Sequence, residues 1–358
     1  MTGQARARQN AHRVRSAVAG RFRGDRTMRA LFYTGTMASE IRDAPDPNGA
    51  QGEVVIDVTH CGICGSDMHA WHGHDPRRVP PLILGHEAVG VPRSGEYAGQ
   101  RVAINPLHTC GRCRHCLSGD DHICQSRELM SMQRPGAYAE VTVAAEANLY
   151  PLPEGLSSAD AALAEPLAVC VHGVEVARRT LRRPVAESRC LVLGGGAIGV
   201  LTALVLADQG CKDLWIAEPN AKRRDVLAAA VPGVRAYDPA NGAPANQSAD
   251  LVIDCVGAPV TRRAASGLVM PGGTIVHVGL QEAGDGLDTR TFTLQEVTFA
   301  GTYCYTRYDF QAALDLLARG LVANRNWIEE RPLDAGAQSF QDIHDGKAPP
   351  KIVLVMGA

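Results

Sequence analysis

Three observations predict an α/β chain in which a β-rich part is joined to a doubly wound parallel sheet. Between about residues 162 and 300, strand-like runs alternate with Ala/Leu-rich helical stretches, which is the pattern of βαβ units. From about 28 to 150 the apolar runs are short and broken by Gly and Pro, as β structure requires. The length, 358 residues at about 150 per domain, gives two domains. With 45% hydrophobic and 21% charged residues, the composition excludes collagen, coiled coil and wholesale disorder. Thirty-six basic against 38 acidic residues leave a net charge of −2, so no global field draws the protein to nucleic acid or to an anionic membrane. Neither is expected as a partner.

Residues 1–27 carry seven Arg, one Asp and no apolar run long enough for a secretory core. They read as a disordered basic extension, with an organelle transit peptide as the alternative. Met28-Arg-Ala-Leu-Phe-Tyr then opens a strand, and Glu53-Val-Val-Ile-Asp-Val and Tyr138-Ala-Glu-Val-Thr-Val read as further strands. The alternating region supplies Leu191–Leu193, Leu214–Ala217, Leu251–Asp254 and Thr274–Val278. Cys190 to Ala207 is uncharged for 18 residues, the length at which a membrane helix is weighed. Its glycines at 194, 195, 196 and 199 divide it into strand, turn and helix, so no membrane span is expected. A helix, Asp309 to Arg319, and a strand, Lys351 to Val355, follow.

Leu191-Val-Leu-Gly-Gly-Gly-Ala-Ile-Gly places Gly194, Gly196 and Gly199 in a G-x-G-x-x-G after a strand and at the head of a helix. The first glycine permits a tight turn, the second lets a pyrophosphate approach the backbone, and the third lets helix and strand pack closely. Nineteen residues on, Glu218 ends the next strand, where a carboxylate accepts hydrogen bonds from an adenosine ribose and repels a 2′-phosphate. NAD is therefore expected before NADP. The adjacent Lys222, Arg223 and Arg224 could instead bind that phosphate. Candidate cofactor contacts are Gly194, Gly196, Ile198, Gly199, Glu218 and Arg223, with Cys255 and Val256 after one strand and Val278 and Gly279 at the end of the next.

Eleven cysteines are too few for a disulfide scaffold, and four of them crowd together as Cys110, Cys113, Cys116 and Cys124. Four thiolates suit a tetrahedral zinc and fill every position, which makes the site structural. Two disulfides or an iron–sulfur cluster could use the same residues. A second, dispersed set comprises Cys64, His86, Glu87 and Glu165. Thiolate, imidazole and carboxylate make a mixed set with room for a substrate oxygen, the arrangement of a catalytic zinc. Singly, each has a plainer role: His86 as a satisfied buried histidine, Glu165 as a carboxylate at a helix N-terminus.

Cys64-Gly-Ser-Asp-Met-His, Gly85-His-Glu, the four-Cys segment and the glycine loop, in this order, resemble the zinc-dependent medium-chain dehydrogenases, the alcohol and polyol dehydrogenase family, from about Met28 onward. The resemblance implies a GroES-like catalytic domain from residues 28–173 and 304–358, with a Rossmann domain, 174–303, inserted. It makes Cys64 and His86 catalytic zinc ligands and Glu87 a neighbouring or exchanging ligand. Glu165 falls where alcohol-dehydrogenase branches have Cys and sorbitol-like branches have Glu, although Cys170 five residues on is a possible alternative. Ser66 takes the position that accepts the alcohol proton, His69 the position that passes protons to solvent, and Asp67 the position that orients a zinc-ligand histidine.

What the resemblance implies is an NAD-dependent enzyme with one catalytic and one structural Zn2+, acting on a small alcohol, polyols and sugar alcohols before vicinal diols and amino alcohols. A cytoplasmic homodimer or homotetramer is expected, with Val297 to Tyr305 as a candidate edge strand. The rivals are an NADPH-dependent carbonyl reductase and a zinc-containing nucleotide sensor that turns nothing over.

Overall fold

The computed structural model describes residues 22–357, so most of the expected disordered extension lies outside the described residues. The strand expected to open at Met28 begins earlier, as β1 (Phe22–Gly35). The chain forms two compact units. The first takes the residues up to Glu165 together with Glu329–Ala348 and Ile352 onward, and the second takes Pro166–Ile328 with Pro349–Lys351. Residues 304–328, expected with the catalytic domain, thus pack within the second unit. The reason is a buried tie: His172 Nδ1 meets Asp309 Oδ2 at 2.9 Å, joining helix Ala164–Arg178 to helix Arg307–Ala318.

In the first unit β1 pairs antiparallel with β2 (Ala38–Pro47) and with β4 (Leu82–Ile83). A larger sheet is built on β3 (Glu53–Gly62), flanked by β5 (Glu87–Pro92) and by the returning β18 (Lys351–Val355). It continues through β6 (Val102–Ile104) and β10 (Leu149–Pro151) on one side and β17 (Ile328–Pro332) on the other, and β9 (Val141–Ala145) pairs with the start of β3. Ile56, Leu84, Ile104, Tyr138, Phe340 and Leu354 meet in its core. The strand expected over Tyr138–Val143 starts three residues late because Tyr138 and Glu140 hydrogen-bond instead to Leu31 and Arg29 of β1. A two-residue hairpin pair, β7 (Leu107–His108) and β8 (Glu128–Leu129), brackets the four-cysteine segment.

The second unit is a six-stranded parallel sheet in the order β13 (Arg235–Tyr237), β12 (Asp213–Ala217), β11 (Arg189–Leu193), β14 (Ala249–Asp254), β15 (Val269–His277), β16 (Thr298–Gly301). Counted along the chain this is order 3-2-1-4-5-6, the doubly wound arrangement whose direction reverses between β11 and β14. Its central strands are buried on both faces, so Cys190-Leu-Val-Leu reads as a continuous apolar run rather than an alternation. No helix among the described residues is long and apolar enough to cross a membrane.

Burial pushes the Asp309 carboxyl up, but hydrogen bonds from His172 and Thr306 outweigh it and hold the group below its usual range. A carboxylate held low stabilises the fold above its unfolded pKa, and that contribution disappears as pH falls through the depressed value. Asp309→Asn is therefore expected to cost about 2–3 kcal/mol, the scale for breaking a buried charged hydrogen bond. In urea unfolding the cost stays constant from pH 8 to 5 and shrinks only below about 4, the ordinary Asp range. A cost that grew on acidification would contradict the assignment.

Candidate active site

Cys64 caps the helix Gly65–Trp71. Its Sγ accepts from the Ser66 N–H at 3.5 Å while the Asp67 carboxylate reaches back to the Cys64 N–H at 3.2 Å. This reciprocal cap satisfies donors that the first helical turn leaves unpaired, and it fixes the sulfur's position. His86 and Glu87 enter from the start of β5, where Glu87 stands opposite Gly62 of β3. The ligand atoms of Cys64, His86 and Glu87 lie within 4.8 Å of one another, and both His86 and Glu87 are buried. Thiolate, imidazole and carboxylate at this spacing fit a zinc ion.

Asp67 is wholly buried beneath them. One oxygen accepts from the Tyr138 hydroxyl at 2.7 Å, and the other lies 3.5 Å from His86 Nδ1 and 4.0 Å from Arg78. Burial works against the charge, but His86, Arg78 and the Tyr138 hydroxyl hold Asp67 well below the usual carboxylate range. In turn Asp67 and Cys64 overcome the burial penalty on His86 and push it well above its ordinary value. Asp67 thus stands beside the histidine it was expected to orient, as an ion-pair neighbour. His86 Nδ1 is hydrogen-bonded with Ser131 Oγ at 3.1 Å.

Ser66 lies one residue from Asp67, with its Oγ 3.3 Å from Arg78 Nη2. Arg78 also donates to the Ser66 carbonyl at 2.5 Å and to the Ser131 carbonyl at 2.9 Å. His69 is half-buried in the last turn of the same helix. Glu165 is buried in the first turn of helix Ala164–Arg178, in the same unit as Cys64 and His86. Its carboxylate is outside the 4.8 Å group, where Glu87 stands instead. Cys170 belongs to the second unit, and its thiol donates to the Pro166 and Ile198 carbonyls.

Cys110, Cys113, Cys116 and Cys124 converge. Sulfur separations are 3.5 Å for Cys113–Cys116, 3.6 Å for Cys124–Cys110 and 3.9 Å for Cys110–Cys116. A tetrahedron of Zn–S bonds of about 2.3 Å has edges of about 3.8 Å. No pair is at disulfide bonding distance, and the cysteines are free. In a four-iron cluster each cysteine holds a different iron, which demands wider spacing. Backbone N–H groups of Arg112 and Cys113 lower the Cys110 thiol to about 6, which favours its thiolate form.

In the second unit the three glycines divide the work as the motif requires. Gly194 has φ +102°, Gly199 lies so close to the Gly194 carbonyl that a Cβ would sit 1.8 Å from it, and Gly196 faces open space. Glu218 follows β12, and its oxygens accept from Gly195 N at 3.1 Å and Asn220 N at 2.8 Å. Arg224 is engaged with the Glu218 and Pro219 carbonyls, whereas the buried Arg223 Nε has no hydrogen-bond partner among the described residues. Cys255 and Val256 leave β14 around Asp254, whose carboxylate accepts from Val256 N, Gly257 N and Thr261 Oγ1. Val278 and Gly279 leave β15 alongside, and Val278 N and Gly279 N both donate to the Asp254 carbonyl. Cys255 and Val256 stand at the carboxyl end of β14, next to the point of reversal where open sheets bind ligands, and Val278 and Gly279 at the carboxyl end of the neighbouring β15.

Residues 50–154 match the alcohol dehydrogenase GroES-like domain, and residues 197–319 match the zinc-binding dehydrogenase domain. The chain is 32% identical over 316 residues to 2-dehydro-3-deoxy-L-galactonate 5-dehydrogenase of Pseudoalteromonas atlantica, covering 84% of this chain and 90% of that one. The chain belongs to the zinc-dependent medium-chain dehydrogenase family. It is also similar to the sorbitol dehydrogenase of Halalkalibacterium halodurans, at 29% identity over 90% of this chain and 97% of the relative. Among solved structures, a candidate zinc-binding dehydrogenase of Sinorhizobium meliloti 1021 bound to NADP superposes with a TM-score of 0.80 at 25% identity, covering 92% and 100% of the two chains.

Three residues of this dehydrogenase escaped the sequence reading. Arg78 and Ser131 lie in segments without a motif, and Ser131 adopts φ +65°, a conformation for which serine gives no signal. Tyr138 was visible only as a strand residue. Replacing Arg78 with Lys keeps the charge but loses the fork that spans Ser66 and Ser131. The variant is expected to lose about tenfold or more in kcat, on the scale of acid–base positioning, with zinc content unchanged. An unaltered kcat would remove Arg78 from the site.

Proposed function

We propose that this dehydrogenase oxidises a secondary alcohol with NAD, polyols and sugar alcohols first, then vicinal diols and amino alcohols. The observation that carries the reading is the convergence of Cys64, His86 and Glu87 next to the helix that bears Ser66. The donors proposed for one zinc are Cys64 and His86 with a carboxylate from Glu165 or Glu87, and for the other the four cysteines of residues 110–124. When bound, zinc supplies a Lewis acid that lowers the pKa of an alcohol, and NAD supplies the hydride acceptor.

The remaining work falls to side chains of this chain. Ser66 Oγ accepts the proton of the substrate hydroxyl as it passes its own proton on, and Arg78, donating to the same oxygen, favours the negative charge that builds there as the serine proton leaves. His69 passes the proton toward solvent. Asp67 and Ser131 keep His86 in one orientation. In the second unit Glu218 accepts from the adenosine ribose, because two backbone donors leave lone pairs on each oxygen. The relatives named for a deoxy sugar acid and for sorbitol support a polyhydroxylated substrate. The unpartnered Arg223 Nε favours a second reading, NADP binding through the 2′-phosphate.

β16 ends the sheet order with Phe299 partly exposed, and it supports a homodimer or tetramer joined at this edge. Concentration-dependent light scattering checks this, and a monomer at every concentration refutes it.

Elemental analysis is expected to find two zinc per chain. Cys64→Ala drops this to one and abolishes NAD reduction against a polyol panel while NAD binding survives. Glu165→Gln and Glu87→Gln then separate the carboxylates: the one that ligates loses zinc, the other does not. Full zinc content and turnover in Cys64→Ala would overturn the reading. Tighter binding of NADP than of NAD would overturn the role of Glu218.

A further inference from the structure

Four histidines gather on the first unit beside the chemistry derived above. His69 lies in the last turn of helix Gly65–Trp71, His72 caps its C-terminal end, and His74 follows. His344 ends the helix Gly336–His344, 272 residues further along. Trp71 and Phe340, with ring centroids 5.9 Å apart, pack the two helices together and bring these ends into register. The result is that His72 Nε2 and His344 Nδ1 stand 3.0 Å apart. The His72 ring centroid is 5.1 Å from that of His344 and 5.7 Å from that of His74, and His74 is 5.3 Å from His69.

We propose that His72, His344 and His74 form a further metal site that takes a divalent ion of the imidazole-preferring kind, zinc, nickel or copper. Imidazoles bound to one tetrahedral ion at about 2.0–2.1 Å hold their nitrogens about 3.3 Å apart and their ring centroids about 5 Å apart. The His72–His344 pair already has that spacing, and His74, exposed on the turn after the helix with its ring centroid 5.7 Å from that of His72, is the ligand that must swing toward the pair. The set is imidazole alone. Asp345, the adjacent carboxylate, is taken up by Lys347 and Gln341. A site without oxygen ligands excludes magnesium and calcium and suits the softer transition ions.

Partial burial, and then the neighbouring rings of His344, His74 and His69, lower the pKa of His72. The lowered His72 ring therefore keeps a lone pair available at neutral pH, 3.0 Å from His344 Nδ1. A bound ion would clip the helix that carries Ser66 and His69 to the C-terminal helix of the same unit. The competing account of the pair is a single shared proton in a His–His hydrogen bond, with no affinity for metal.

The test uses the full chain carrying its resident zinc, whose content is measured first, titrated with Ni2+ by calorimetry. One additional equivalent of Ni2+ is expected, with no release of resident zinc and an upward shift of the thermal midpoint. In His344→Gln and in His72→Gln that affinity falls by about tenfold or more, since losing a ligand costs at least what losing a ligand's hydrogen-bond partner does. His344 is an exposed helix end, so its variant keeps the fold, checked by unchanged zinc content and circular dichroism. An absent equivalent, an equivalent retained in both variants, or Ni2+ uptake matched by zinc release would each overturn the site.

Discussion

A carboxylate taken out of water survives as an anion only if the protein replaces its lost solvation. Asp67 is fully buried, and its replacement solvation comes from four places: the Cys64 N–H, the Tyr138 hydroxyl, His86 and Arg78. These groups come from a helix cap, the segment before β9, the start of β5 and the loop after the helix. Satisfying one charge therefore fixes the relative positions of the thiol, the imidazole and the Ser66 turn. Gly85 follows from the same constraint, because a Cβ there would lie 2.5 Å from the Tyr138 ring. The donor set thus holds its shape through contacts that involve no metal.

The two cysteine-bearing constellations show opposite ways of reaching a metal geometry. Cys110, Cys113, Cys116 and Cys124 lie within one short segment, so a few turns of backbone set sulfur separations of 3.5–3.9 Å with little help from the core. Cys64 and the His86–Glu87 pair come from separate elements, and their spacing depends on strand register, since Gly62 must pair with Glu87 across β3 and β5. A slip of one residue there would turn His86 and Glu87 each to the other face of the sheet. The first site is a local device and the second is a product of the whole sheet.

That contrast also explains what could be read from the sequence. The spacing of four cysteines, the glycine loop and the run Leu191–Leu193 are local signals, and each stands where expected. Lys351–Val355 was read to the residue because its apolar run is short and bounded. The start of β1, the division near Ile328 and the pairing of Tyr138 with β1 depend on long-range packing that carries no local pattern. In the site, Cys64, Ser66, His86 and Glu87 lie in motifs, whereas Arg78 and Ser131 do their work through side-chain hydrogen bonds across 53 residues. Glu87 beside Cys64 and His86, with Glu165 outside that group, is likewise a three-dimensional outcome.

Cofactor choice turns on how each charged group near β12 is already employed. Glu218 is only 4% exposed, and backbone donors from Gly195 and Asn220 grip both its oxygens, so it cannot swing aside for a phosphate. Arg224 is occupied with carbonyls of its own turn. A 2′-phosphate would therefore meet a fixed anion, with Arg223 the residue in that turn whose buried Nε lacks a partner. One guanidinium on a helix face must then offset repulsion from a carboxylate that the backbone holds in place. A ribose hydroxyl meets no such conflict, since it donates to Glu218 without displacing either backbone donor. The anchoring of Glu218, more than its charge alone, is what supports the proposal of NAD over NADP.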